Sequence, residues 1–387
     1  MKKLLIITII LCVLTAVFVP IGGAALAANQ NDGVKSYYLI DDDTGTVLAK
    51  YNEDEKRPIA SMVKIMTLCL TFKAIEEGRL DINQKLVISQ TASGMGGSQM
   101  FLDANKEYPV KDLIKGVVVC SANDAAVALG EAISGSIEAF VAEMNSYAKE
   151  LGMNNTLFCN TTGLPGGEQY STARDVTIMT RKLLGYKEYY DYSKIWIENY
   201  VHPDGRKTEM VNTNKLVRFY QGCDAGKTGF TNDAMFCLSA SAARKDMRVI
   251  ATVLGGADSK TRFKKVSELF NYAFANYEQK VVFKAGESII NNLKISKSKE
   301  QEIDVYSKDD LKIFSQKGSK VTPNIKIMIN DGLKAPLKAD TVIGRAEVYD
   351  AEGNLRSCAD LCLRHDVNKQ NIFDAMRLVL KNWSFKK

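Results

Sequence analysis

Apolar positions recur with two different periods along this chain of 387 residues. Residues 36–42 and 46–51 have the short-range pattern of strands and flank a turn at Asp43-Thr44-Gly45, which predicts a strand pair. From Ser61 the pattern becomes a long apolar run to about Glu77, closed by Gly78, and predicts a helix. Residues 110–120 predict a second helix and the alanine-rich 123–132 a third. Residues 137–152 predict a fourth, with Phe140, Met144, Tyr147 and Leu151 at helical spacing. Ser171-Thr172 offers N-cap hydroxyls to a further helix. Residues 234–242 and 247–255 are apolar strands joined at Arg244-Lys245-Asp246, and 267–277 is an amphipathic helix. Between 89 and 107 periodicity fails around Ser93-Gly94-Met95-Gly96-Gly97-Ser98, in a loop long enough to border a groove or to be a surface excursion.

From Val281 the character changes. Short alternating runs, broken by Gly, Asn, Asp and Lys, continue to about Arg364 and predict a small all-β domain. In residues 367–387, Ile372, Phe373, Met376, Val379, Leu380 and Trp383 line one helical face, with Arg377, Lys381, Lys386 and Lys387 elsewhere. An apolar stripe with tryptophan and a basic rim fits a helix lying on a membrane surface; a helix packed on protein is the plainer reading.

The amino terminus sets the compartment. Lys2-Lys3, an apolar run over 4–19 and the small-x-small Ala25-Leu26-Ala27 together form a secretory signal over residues 1–27. The expected organisation is therefore a signal (1–27), a catalytic domain (28–279), a β-rich domain (280–366) and an amphipathic tail (367–387). The protein is expected to work outside the cytoplasm, secreted or held at the membrane by that tail. The net charge of +6 becomes +4 without Lys2 and Lys3, which suits an anionic surface as well as ordinary solubility. Beyond Cys12 seven cysteines remain, an odd number that leaves at least one unpaired in a monomer. No C-x-x-C occurs and there are two histidines, so neither a zinc site nor any other metal or cofactor is expected. No phosphate-binding loop occurs, and nothing points to nucleic acid.

Candidate chemistry starts at Ile59-Ala60-Ser61-Met62-Val63-Lys64. Positions i and i+3 share a helix face, so the hydroxyl of Ser61 can meet the amine of Lys64. A serine needs a base, and a lysine serves once burial or a neighbouring cation lowers its pKa. The same spacing at Ser146/Lys149, Ser296/Lys299 and Ser384/Lys387 shows how weak it is alone. Two further motifs occur once each, Ser121-Ala122-Asn123 and Lys227-Thr228-Gly229, at separations of 60 and 106 residues from the motif before. Ser121 can relay a proton to a departing amine, while Asn123 can bind a substrate amide and orient Lys64. Lys227 and Thr228 suit a terminal carboxylate. Gly229 lets substrate lie close to the strand, and the N–H groups of Ser61 and Phe230 can form an oxyanion hole. A Ser-His-Asp arrangement would need His202 or His365, neither near Ser61 in sequence.

S-x-x-K followed by S-x-N and K-T-G is the pattern of β-lactamases and penicillin-binding proteins. Beyond the motifs, Gly97-Ser98-Gln99-Met100-Phe101-Leu102, Gly163-Leu164-Pro165, Tyr170-Ser171-Thr172-Ala173-Arg174-Asp175 and Gly226-Lys227-Thr228-Gly229-Phe230-Thr231 carry a closer likeness. Over nearly its whole length the chain resembles the D-alanyl-D-alanine carboxypeptidases, low-molecular-mass penicillin-binding proteins of serine peptidase family S11. Lys-Thr-Gly-Phe-Thr, with Asn212-Thr213-Asn214-Lys215 upstream, looks more like the sporulation-associated members. The resemblance implies a β-lactamase/transpeptidase-like α/β fold, with helices packed on a five-stranded antiparallel sheet and a small all-β domain after it. It also implies removal of the terminal D-Ala from the peptidoglycan pentapeptide through an acyl-enzyme, with β-lactam antibiotics acylating the same serine. Some members carry histidine where Phe230 stands, and some an arginine where Thr213 stands. That leaves Lys227 and Thr228 to bind the carboxylate alone or with Arg218.

Other functions share parts of this pattern. A class A β-lactamase needs a glutamate-led loop that Glu168-Gln169-Tyr170-Ser171-Thr172 does not match. A DD-endopeptidase uses the same acyl donor and differs in its leaving group. A non-catalytic penicillin-binding wall protein has no need of Ser61, Lys64, Ser121 and Lys227 together.

Overall fold

The computed structural model describes residues 33–300, 302–319, 324–349, 353, 355–374 and 376. The chain divides into two compact units, with the division after Ala275. In the first, β1 (Ser36–Asp41) and β2 (Val47–Tyr51) form the hairpin expected. A 3-10 turn over Ala60–Val63 then feeds α1 (Lys64–Glu76). Ser61 therefore sits in the tighter turn that precedes the α-helix. Nine consecutive residues of α1, Lys64 to Phe72, are buried, as fits a helix with little polar surface at the centre of a domain.

β3 (Lys85–Val87) and β4 (Glu107–Pro109) pair across the poorly periodic region, which holds the short α2 (Gln90–Ser93). α3 (Val110–Val119), α4 (Asn123–Ser134), α5 (Ile137–Glu150) and α6 (Ala173–Leu184) follow within a few residues of their expected bounds. Thr172 caps α6 by accepting the Asp175 N–H at 3.0 Å. After α7 (Tyr189–Ser193), the hairpin of β5 (Ile197–Val201) and β6 (Lys207–Val211), and α8 (Leu216–Phe219), the chain enters β7 (Cys223–Thr231). β8 (Met235–Arg244) and β9 (Met247–Gly256) complete an antiparallel sheet in the order β2-β1-β9-β8-β7. Its core strand β9 is almost wholly buried, which explains its unbroken apolar sequence. α6 lies against β9 and β1, and a chain of buried hydroxyls ties it down: Thr177 to Thr252, Thr180 to Ser239, and Ser239 to Thr252, at 2.7–2.8 Å. β7 is an edge strand, so its outer backbone is not paired within the sheet.

α9 (Ser259–Asn276) begins eight residues before the amphipathic stretch that announced it. The Asp258 carboxylate accepts the Thr261 N–H at 2.7 Å and starts the helix there. Arg262 and Lys265, both buried, occupy inward positions of its first turns and hide the apolar stripe from a sequence reading.

The second unit contains β10 (Tyr277–Phe283), β11 (Ser288–Ile290), β12 (Val305–Ser307), β13 (Leu311–Gln316), β14 (Asn324–Ile329), β15 (Val342–Tyr349) and β16 (Leu355–Leu363). β10 pairs with β13, and the others form a five-stranded sheet, β11-β12-β16-β15-β14. Val305, Leu311, Ile343, Val348, Leu361 and Leu363 fill its own core. The unit extends past the expected boundary at 366. Val367 exchanges backbone hydrogen bonds with Leu337, and the Gln370 N–H reaches Lys297 O at 2.9 Å. Residues 367–370 thus belong to the β unit and not to the tail helix. A helical turn starts only after Asn371, where Asn371 and Asp374 cap each other, and Ile372, Phe373 and Met376 are exposed. The rest of the expected tail helix, with Val379, Leu380 and Trp383, lies outside the described residues, as does the expected signal over 1–27.

Candidate active site

The three motifs arrive from three elements. Ser61 comes from the 3-10 turn and Lys64 from the first residue of α1. Ser121 and Asn123 stand at the α3–α4 junction, and Lys227-Thr228-Gly229 runs along β7. The 3-10 turn packs directly on β7.

Lys64 is fully buried, and its Nζ donates to Ser61 Oγ at 3.0 Å and to the carbonyl of Thr162 at 2.8 Å. Burial first, and the Lys227 cation second, hold its pKa far below the usual lysine range. The free-amine form is thereby favoured, and in that form the contact can reverse, the Ser61 hydroxyl donating to the amine. Ser121 takes a left-handed backbone conformation (φ 64°) in the short link between two helices. Its Oγ is buried and has no hydrogen-bond partner among the described residues, and neither has the Oδ1 of Asn123. Unpaired buried polar atoms are costly unless a ligand completes them. The amide nitrogen of Asn123 is already used, donating to Gly96 O at 2.6 Å, while its backbone N–H reaches Ser98 O at 2.7 Å. Asn123 therefore holds the 89–107 loop against the site, which decides between groove and surface excursion for that segment.

Lys227 is also buried, yet its Nζ bonds only the Thr228 carbonyl at 3.0 Å, and no carboxylate pairs with it among the described residues. Burial, then the Arg262 guanidinium, bring its pKa down to about 7. Near neutral pH this group takes or loses a proton readily, and an arriving carboxylate would stabilise the cation. Thr228 is buried beside it, while the Phe230 ring is exposed and lies 4.3 Å from that of Phe236, centre to centre.

Two glycines make the Ser61 turn possible. A Cβ on Gly163 would stand 1.9 Å from Ala60 O and 2.8 Å from Ser61 N, and its φ of 83° disfavours any other residue. A Cβ on Gly229 would meet Ile59 O at 2.5 Å. The missing side chain of Gly229 thus admits the Ser61 turn itself. Gly163 is fixed by Asn160, whose side-chain oxygen accepts the N–H groups of Thr162 at 3.1 Å and Gly163 at 2.7 Å. This places the Thr162 carbonyl on Lys64.

Sequence reasoning missed Thr162, Arg262 and Asp124. Arg262 donates from Nη1 to Gly229 O (3.1 Å) and Cys237 O (3.2 Å). Arg218, the expected helper of Lys227, instead lies over the rings of Trp196 and Phe219. The cation that reaches the Lys-Thr-Gly strand is Arg262. Asp124, fully buried, accepts the N–H groups of Met100 (3.2 Å) and Leu102 (3.0 Å), and so fastens the loop on a second residue of α4. Its place in Ser121-Ala122-Asn123-Asp124 was the available signal. His202 is spent elsewhere, its ring nitrogens on Tyr108 Oη (3.2 Å) and Thr208 Oγ1 (2.8 Å), and His365 is an exposed residue of the β unit. The seven described cysteines are all free thiols, and no cluster of potential metal ligands occurs among the described residues.

The family model described as D-alanyl-D-alanine carboxypeptidase matches residues 25–258, and that of the C-terminal domain of penicillin-binding protein 5 matches 277–369. The chain belongs to the D-alanyl-D-alanine carboxypeptidase family. It is 36% identical to the D-alanyl-D-alanine carboxypeptidase DacF of Bacillus subtilis over 352 residues, 90% of each chain. Among solved structures it resembles penicillin-binding protein 5 of Haemophilus influenzae (30% identity, TM-score 0.66, covering 87% of this chain and 98% of that one). It also resembles PBP3 of Streptococcus pneumoniae, a peptidoglycan synthesis regulatory factor (25% identity, TM-score 0.76, covering 87% and 99%). The sheet of five antiparallel strands and the following β unit are therefore the penicillin-binding protein fold, and the enzyme is a serine-type peptidase that hydrolyses the D-Ala-D-Ala bond.

Two outcomes follow from the geometry of the carboxypeptidase. Gly163→Ala should destabilise the fold by about 3 kcal/mol and slow acylation by penicillin at least tenfold, because the strain falls on the backbone of Ser61. Thermal melting together with the rate of adduct formation tests this, and wild-type values for both would refute the account of the turn. Lys227→Gln should move the acid limb of the acylation rate to higher pH. Below about pH 7 Lys227 is cationic and opposes the charge on Lys64, so its removal lets Lys64 keep a proton to higher pH. A pH–rate profile with an unmoved or lowered acid limb would rule out that coupling.

Proposed function

We propose that Ser61 is the nucleophile of this D-Ala-D-Ala carboxypeptidase and Lys64 its base. The observation that carries the reading is the fully buried Lys64 amine, 3.0 Å from Ser61 Oγ and held far below its ordinary pKa. Ser61 Oγ attacks the carbonyl carbon of the penultimate D-Ala as its proton passes to Lys64. The N–H groups of Ser61 and Phe230 receive the oxyanion. The C–N bond then breaks, and a proton delivered through Ser121 lets the terminal D-Ala leave as an amine. Water next attacks the acyl ester, gives up its proton to Lys64, and frees Ser61 and the shortened peptide. Lys227 and Thr228 hold the terminal carboxylate, with Arg262 behind them and Asn123 Oδ1 facing a substrate amide. A β-lactam follows the same first step, but its leaving nitrogen stays tethered. The substrate is the peptidoglycan pentapeptide, and trimming it limits the crosslinks it can form.

The proposed place of action is outside the cytoplasm, at the membrane surface, with residues 1–27 as signal and the basic, apolar tail as anchor. The small-x-small site after an apolar run and the exposed Ile372, Phe373 and Met376 support this.

Mass spectrometry with and without penicillin, joined to D-Ala release from a diacyl-Lys-D-Ala-D-Ala peptide, tests the chemistry. A penicilloyl adduct on Ser61 with D-Ala release is expected. An adduct without release would favour a binding role, fast loss of the adduct a β-lactamase, and no adduct at Ser61 would end the assignment. Cleavage of crosslinked dimers in preference to pentapeptide would favour the DD-endopeptidase. Deleting the chain from Asn371 onward, which spares the β unit, should release the protein from membranes; continued sedimentation with them would exclude the anchor.

A further inference from the structure

A hollow between α8 and α9 takes no part in the chemistry above. It is an open depression of about 570 Å³ between α8 and the N-terminal half of α9, lined by Lys215, Leu216, Phe219, Lys260, Phe263 and Lys264 with two serines of α9. Lys260, Phe263 and Lys264 share one face of α9 by their i, i+3, i+4 spacing. Arg262, on the other side of the same turn, reaches the Lys-Thr-Gly strand at Gly229 O. From the α8 side, Thr213, two residues before Lys215, donates its N–H to Val119 O at 3.1 Å, just ahead of Ser121. The two elements that form the hollow are thus each bonded, through a neighbouring residue, to a segment that carries a motif of the active site.

Its chemistry is cationic over an apolar floor. Lys215 makes no ion pair among the described residues, and Lys264 makes a loose, exposed one with Glu268 at 3.6 Å. Lys260 lies near Asp258, whose carboxylate is already engaged with the Thr261 N–H. Phe219 is 70% exposed and yet fixed: Trp196 meets it edge-on at 5.8 Å, and Arg218 lies over both rings. An exposed aromatic packed against Trp196, beside exposed lysines that are at most loosely paired, suits a ligand that offers both a carboxylate and a sugar or aliphatic face.

We propose that this hollow is an accessory subsite that binds the carboxylates of a peptidoglycan strand outside the D-Ala-D-Ala end being cut, those of the same or a neighbouring stem peptide. The inference rests on the peptidoglycan reading of the active site. Long, charged wall fragments engage the hollow; a short neutral-bodied peptide does not reach it.

The test compares two substrates on the full-length protein: a dimer of disaccharide-pentapeptide units and diacyl-Lys-D-Ala-D-Ala. In the double variant Lys215→Glu, Lys260→Glu, KM for the dimer should rise about fivefold at low ionic strength, as expected of exposed charge pairs, and the difference should vanish in high salt. Its kcat, the KM for the small peptide and the penicillin acylation rate should stay as in the wild type, and Lys215→Arg, Lys260→Arg should keep the wild-type KM. An equal change for both substrates, or none for either, would overturn the subsite. Competition by a glycerol-phosphate oligomer but not by the released tetrapeptide dimer would also overturn it, in favour of a phosphate polymer as occupant. Wild-type protein that cuts neither substrate would instead refute the reading on which the subsite rests.

Discussion

One constraint governs the catalytic unit: a lysine amine without any solvent exposure, at the start of a largely apolar, buried helix. A charged ammonium there would lose several kcal/mol of hydration with no carboxylate bonded to it. Among the described residues, its only hydrogen-bond acceptors are Ser61 Oγ and the Thr162 carbonyl. The structure therefore stabilises the amine in its neutral form, and a neutral amine against a hydroxyl is a base. Other features of the unit serve that contact. The Asn160 side chain sets the Thr162 carbonyl, Gly163 and Gly229 let the serine turn sit close to its neighbours, and Lys227 adds a second charge that Lys64 must avoid sharing.

The 89–107 loop belongs to the same design. Adjacent residues at the start of α4 hold it by different means, Asn123 through Gly96 and Ser98, and Asp124 through Met100 and Leu102. The helix that presents the Ser121 motif thus also positions the loop beside the site. Ser121 Oγ and Asn123 Oδ1, without hydrogen-bond partners among the described residues, belong to that motif and are the atoms that the substrate proposed above would complete. The buried hydroxyls of Thr177, Thr180, Ser239 and Thr252 show the opposite case, polar atoms fully paired and purely architectural.

Much of this was legible in the sequence because its signals are local. The helices over α3 to α6 follow the apolar period, and the strands of the sheet follow runs bounded by turns. The three motifs mark positions where the chemistry leaves little choice of residue type. What stayed hidden depends on distant contacts. That Ser61 lies in a 3-10 turn is set by packing on β7. α9 starts at Ser259 because Asp258 caps it, while buried Arg262 and Lys265 mask its inward face. Residues 367–370 resemble the start of a tail helix, but backbone bonds to Leu337 and Lys297 keep them in the β unit. Arg262 could not be told from any other helix arginine until its contact with Gly229 was seen.

The glycine pair around the serine turn also bears on how such an enzyme can change under antibiotic pressure. On the mechanism proposed above, D-Ala-D-Ala and a β-lactam are attacked from the same turn, and that turn has backbone carbonyls where side chains at 163 and 229 would have to go. A substitution there that disturbs the drug's approach disturbs the peptide's as well. Freedom to vary lies farther out, in exposed side chains such as that of Phe230. Drift toward resistance in this scaffold is therefore channelled to the rim, where the bulky bicyclic drug and the slender peptide differ most in shape.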